Sequence, residues 1–130
     1  MLRILDRFRK KTKIEVETAT PVTELQQFCG DDKETYEALI NTMFLDPRKI
    51  EISMKEAAEN AKRSEKEKDF VKASVWYRTA GGLAIYEGDV KKVVEFFTER
   101  EKISGTKYLI LKNPEKAVSI AQEYYKKHLT

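Results

Sequence analysis

The chain has 130 residues, of which 41% are apolar and 36% charged, with five Gly, three Pro, one Cys and one His. That length suits one domain around one core, and so little Gly and Pro argues against a many-stranded sheet or long irregular loops. Net charge is +3, but residues 1–13 hold +5 (Arg3, Arg7, Arg9, Lys10, Lys11 and Lys13 against Asp6), leaving −2 on the rest, so the body is not a basic nucleic-acid-binding domain.

The N-terminal stretch "MLRILDRFRKK" places Met1, Ile4, Leu5 and Phe8 on one side of a helix and basic residues on the rest. It reads as a basic amphipathic arm, joined by "TKIEVET" as an extended linker, so that residues 1–20 form an arm and linker and residues 21–130 a single all-α domain. "TPVTELQQFCG" predicts a short helix capped by Thr20, with Pro21 in its first turn and Gly30 as stop. In "DDKETYEALINTMFLD", Asp31 followed by Glu34 looks like a capping box. Tyr36, Leu39, Ile40, Met43 and Phe44 then fall at helical spacing.

The next segment, "DPRKIEISMKEAAENAKRSEKEKD", gathers Ile50, Met54, Ala57, Ala58 and Ala61 on one face, small enough for a neighbouring helix to approach. "DFVKASVWYRTAGGLAIYEGD" carries two apolar stripes: Phe70, Ala73, Tyr77, Ala80 and Ala84, and beside it Val71, Val75, Gly82 and Ile85. A helix apolar on two faces is expected to be central. Gly81-Gly82 costs roughly 2 kcal/mol of helix propensity, so either a neighbour lies against the bare backbone or the helix breaks there. "GDVKKVVEFFTEREKISG" puts Val90, Val93, Val94 and Phe97 on one face before a Gly105 stop. "TKYLILK" is a short apolar segment, helix or buried strand. "NPEKAVSIAQEYYKKHLT" ends the chain with Pro114 in a first turn and Ala117, Ala121, Tyr124 and His128 in line.

Four turns share one pattern: "DPRKI" at Asp46, "DFVKA" at Asp69, "DVKKV" at Asp89 and "NPEKA" at Asn113, spaced by 23, 20 and 24 residues. Asp and Asn accept the first free N–H groups of a helix. A new helix is therefore expected at each, and turns this short make successive helices antiparallel.

"KDFVKASVWYRTAGGL" resembles the second helix of a tetratricopeptide repeat, with Asp69, Phe70, Ala73, Tyr77 and Ala80 matching in order and Ala57 and Ala61 falling where the first helix packs. Asn60, Ser64 and Ile85 depart from that pattern. The resemblance covers residues 54–87, with weaker half-matches at "GDVKKVVEFF" and "NPEKAVSIAQEYY". The same hairpin is similar to microtubule-interacting-and-transport three-helix bundles. Both resemblances imply stacked antiparallel helical hairpins, a small array or bundle, whose grooves take helices or extended peptides.

No CxxC, HExxH, Walker-type loop or GxGxxG is present, so no catalytic or metal residue and no cofactor is assigned, and an enzyme is not expected. Cys29 reads as a buried structural thiol rather than half of a pair with His128. Asp31, Asp32 and Glu34 read as capping residues, and Glu95 and Glu99 as a solvated face. Trp76, Tyr77, Tyr86, Tyr124 and Tyr125 read as core. With no apolar run of about 18 residues, no secretory start and one unpaired Cys, a cytoplasmic protein is expected. Its expected role is non-enzymatic binding of a protein or peptide, or self-assembly into a homo-oligomer. The alternative is contact with nucleic acid or an anionic surface through Arg3, Arg7, Arg9, Lys10, Lys11 and Lys13.

Overall fold

The computed structural model describes residues 24–129, and every regular element among them is helical. The basic arm, its linker and the Thr20–Pro21 helix start lie outside these residues. Residues 24–29 are helical (α1), followed by α2 (Lys33–Ile40), a 3-10 turn (Pro47–Lys49), α3 (Met54–Lys66), α4 (Phe70–Glu87), α5 (Val90–Ser104), a second 3-10 turn (Leu109–Leu111) and α6 (Pro114–Leu129). Of the two forms expected for the "TKYLILK" segment, helix or buried strand, it takes the helical one, as a single 3-10 turn. Its 3-10 turn drops Ile110 fully into the core.

Side-chain caps set where the helices begin. Asp69 and Asp89 accept the backbone N–H groups of Lys72 and Lys92, each at 3.1 Å, and Asn113 accepts that of Lys116 at 3.3 Å. Two expected starts move. The cap of α2 is Asp32, which accepts from Thr35 N–H at 3.0 Å, one residue later than the Asp31–Glu34 spacing suggests. Asp46 caps only the first 3-10 turn. The long helix after it starts at a capping box, where Ser53 accepts from Glu56 N–H and the Glu56 carboxylate returns to Ser53 N–H. Ser-x-x-Glu is a sequence signal in its own right, hidden here by the competing Asp-Pro.

The ends are equally local. Gly88 and Gly105 close α4 and α5 in the left-handed region, at φ +75° and +76°. Between α3 and α4 the same conformation falls on Lys68, at φ +61°, where a side chain is disfavoured. The bonds from Lys68 N–H to Glu65 O and from Asp69 N–H to Ser64 O hold the turn.

Helices α3, α4 and α5 form consecutive antiparallel hairpins, with α4 packed between the other two. Ala57 and Ala61 of α3 and Ala73 and Ala80 of α4 are completely buried, so the α3–α4 interface is built on small residues. The Tyr77 hydroxyl donates to the Glu65 carboxylate, tying the two helices. Burial, and then the Glu65 carboxylate, push the Tyr77 hydroxyl pKa up, so it stays protonated.

The glycine pair settles the choice between a break and a close neighbour: α4 runs through it unbroken. A Cβ on Gly81 would stand 2.5 Å from the Phe97 ring of α5, and one on Gly82 would stand 2.4 Å from the Phe44 ring and 3.2 Å from Thr42 O. Phe97 is fully buried, and burying a side chain of that size contributes roughly 1.5–3 kcal/mol. That offsets the helix propensity lost at the glycine beneath it.

Helix α6 packs on α4, α2 and α5. Its Gln122 amide donates to the carbonyls of Ile85 and Tyr86 at 2.7 and 2.8 Å, satisfying the last turn of α4, and the Tyr125 hydroxyl donates to Phe44 O at 2.5 Å. Lys116 pairs with Asp32 at 2.5 Å and fastens α6 to the cap of α2.

Two predictions follow from this packing. Gly81→Ala gains about 1 kcal/mol of helix propensity but drives a methyl group into a ring with no room to retreat, an overpacking cost of about 1–3 kcal/mol. A net loss is expected in denaturant unfolding. Gly82→Ala is likewise expected to lose stability, because its methyl group would meet the Phe44 ring and stand 3.2 Å from the Thr42 carbonyl. The second prediction concerns pH. The Lys116 ammonium, then the Thr35 N–H and hydroxyl, hold the Asp32 carboxyl at about 2, below the ordinary value near 3.9. Because the folded value is the lower one, the stabilisation is complete above about pH 4 and is lost as pH falls through about 2. Asp32→Asn is expected to flatten that acid limb of the melting-temperature profile.

Candidate interaction surface

The central helix is two different objects end to end. From Ala80 to Ile85 every residue is buried, because α5, α6 and the segment around Thr42–Phe44 enclose it. The first half is covered by α3 and α5 only. There Phe70 is 49% exposed, Val71 80% and Val75 54%. The expectation that both apolar stripes of this helix are packed is therefore met in its second half, and in its first half it is met at Ala73 and Tyr77 but corrected at Phe70, Val71 and Val75, which no described element covers. With Ile103 of α5 they line a depression of about 330 Å³ that also touches Ser74 and Arg100. Clustered exposed apolar side chains are characteristic of contact surfaces, whereas single ones are ordinary.

This strip runs into a cationic corner. Arg100 Nε donates to Ser74 Oγ at 3.0 Å, and its guanidinium lies 5.2 Å from the Tyr108 ring centroid. One turn beyond Ser74, the Arg78 guanidinium stacks 4.2 Å from the centroid of Phe44. Among the described residues neither arginine has an ion pair with a carboxylate. Burial first, then the Arg100 charge, pull the Arg78 pKa below the usual arginine value. A cleft of about 400 Å³ opens beside Arg100, bounded by Asn41 and Thr42 after α2 and by Lys107 and Tyr108 after α5.

A second groove, of about 270 Å³, lies between α3 and α5, floored by Met54, Ala58 and Phe96 and fringed by Lys55, Lys62 and Lys92. Phe96 is buried in it, and Lys92 is engaged with Glu95 at 3.3 Å. Glu59 and Glu95 line it as well, so its rim carries both signs of charge.

The six basic residues singled out in the sequence, Arg3, Arg7, Arg9, Lys10, Lys11 and Lys13, lie outside the described residues. Cys29 is buried. Burial, then the Asp32 charge, raise its pKa and leave it a protonated thiol. His128 stacks on Tyr124 and Phe28, with centroids 4.6 and 5.8 Å apart, and makes no hydrogen bond to Cys29. Tyr77, Tyr124 and Tyr125 are core and Trp76 is partly buried, but Tyr86 is exposed. Asp32 caps and pairs as described, Glu95 and Glu99 meet Lys92 and Lys102, each at 3.3 Å, and no group of three or more potential metal ligands forms among the described residues. No helix among those residues is long and apolar enough to cross a membrane. The strip itself escaped sequence reasoning because Phe70, Val71 and Val75 continue the same apolar spacing as the buried half.

If the strip is surface, charge is tolerated there and not one turn deeper. Val71→Lys and Val75→Lys are each expected to change unfolding free energy by no more than about 0.5 kcal/mol, whereas Ala80→Asp, at a fully buried position, is expected to cost several kcal/mol. Thermal melts of the three variants check the contrast. Compared with protein-family models, curated proteins and solved structures, the chain matches none.

Proposed function

We propose that the chain is a non-enzymatic protein-binding module of the helical-hairpin type, tetratricopeptide-repeat-like in its α3–α4 unit, which takes a protein partner on the α4–α5 face. One observation carries this reading: three large apolar side chains, Phe70, Val71 and Val75, stand exposed within two turns of one helix. Leaving them in water forfeits burial energy at roughly 25 cal/mol per Å² of apolar area, and among the described residues the other exposed large apolar side chains, Tyr86 and Val94, are each only 37% exposed. The small-residue crossing of α3 and α4, with Ala57, Ala61, Ala73 and Ala80 buried, is consistent with the hairpin resemblance. It also supplies the rigid support a docking face needs.

The partner is another protein or a second copy of the chain. The reading through the N-terminal arm, contact with nucleic acid or an anionic surface, rests on the charge of residues outside the described range and has no further support.

The test uses a photo-crosslinking amino acid at Val71 of the full chain, expressed in its own cells. A discrete adduct, identified by mass spectrometry and lost when Val75→Glu is added, is the expected result. An adduct of twice the chain mass identifies self-assembly as the form the binding takes. Adducts no more abundant than those from the same group at exposed Lys91 would overturn the proposal.

A further inference from the structure

We propose that the Arg78–Arg100 pair receives a carboxylate from an acidic side chain of that partner, next to an apolar residue seated on Phe70, Val71 and Val75. The inference rests on the protein-binding reading above and adds the chemistry of what is bound.

Among the described residues the two arginines have no carboxylate acceptor. A guanidinium carries five N–H donors in one plane. Arg100 uses its Nε on Ser74, and no other hydrogen bond of either guanidinium forms among the described residues. Each lies over an aromatic ring, Phe44 for Arg78 and Tyr108 for Arg100, which restrains the guanidinium, and a guanidinium fork with unpaired donors suits a two-oxygen acceptor. Arg48, by contrast, already spends its donors on Asp46. Two like charges held half-buried side by side are unfavourable unless an anion lies between or beside them.

Among the described residues the acidic groups nearby do not supply that anion. Glu101 accepts from Tyr108 N–H at 2.8 Å. Glu37, on the α2 rim of the cleft, forms an ion pair with neither arginine. Lys107 adds a third positive charge on the opposite rim.

Position gives the second half of the proposal. Arg100 borders both the 400 Å³ cleft and the 330 Å³ apolar depression, so one short segment can fill both. A bidentate carboxylate–guanidinium contact adds direction to an apolar contact that has none. A nucleic-acid phosphate fits less well. A backbone track needs an array of cations, and outside residues 1–13 the chain sums to −2.

The experiment follows the arginine Nε–Hε and backbone amide signals of the full chain by ¹⁵N NMR. The probes are acetyl-Leu-Leu-Asp-Asp-amide, its Asn-Asn counterpart and a 15-nucleotide oligothymidylate. Expected are saturable shifts at Arg78 and Arg100 with the acidic peptide, at least tenfold weaker with the Asn-Asn peptide and at least tenfold weaker in Arg100→Gln. Arg100→Lys, which keeps the charge but loses the fork, should recover only part of the affinity, and its amide spectrum shows whether the fold is intact. Equal response to both peptides at Val71 and Val75, with none at the arginines, would leave the protein-binding reading standing and overturn this one. So would shifts as large at Arg48 and Arg63, tighter binding of the oligonucleotide at the same arginines, or no response to the acidic peptide at all.

Discussion

The fold depends on two aromatic rings lying against bare helix backbone. Phe97 from α5 sits over Gly81, and Phe44, from the segment after α2, sits over Gly82, each where even a methyl group would collide. Because two successive residues face directions about 100° apart on a helix, one Gly-Gly step admits partners on two sides of α4. That step joins the α3–α4–α5 layer to the part of the chain that precedes it. The weak helix propensity of glycine is the local cost, and the burial of Phe97 more than matches it.

From this contact the layout of the rest follows. Phe44 is held from its other sides by α6, whose Tyr125 hydroxyl reaches the Phe44 carbonyl, and by Arg78, stacked on its ring. Gln122 of α6 closes the last carbonyls of α4, and Lys116 reaches the α2 cap. The C-terminal helix thus acts as a clasp over the glycine half of α4. It does not extend over the other half, and that is where apolar side chains remain in water.

Core packing and exposed apolar surface therefore meet on one helix. Ala80 to Ile85 belong wholly to the core, whereas in the first half of the helix Ala73 and Tyr77 are buried and Phe70, Val71 and Val75 are exposed. Arg78 marks the boundary: its ring contact belongs to the core, and its unspent donors belong to the surface. Because the buried face of the helix is tightly packed, the exposed side chains opposite it are held in place.

By itself the sequence determined the all-α class, the antiparallel hairpins, the starts at Asp69, Asp89 and Asn113, the end at Gly105, and the burial of Ala73, Tyr77, Ala80 and Phe97. These are set by contacts within a few residues or by strong periodicity, which a linear string displays. It did not determine the left-handed Lys68, since the expected glycine is absent there, nor the Ser53 start, since Asp46 and Pro47 offer a competing one. Above all it could not tell Val71 and Val75 from Ile85, or Arg78 from any other helical arginine. The spacing is the same for each. What distinguishes them is whether another element, remote in sequence, lies against that face: α6 and Phe44 cover one half of α4 and leave the other open, and only the tertiary structure decides how far a covering helix reaches.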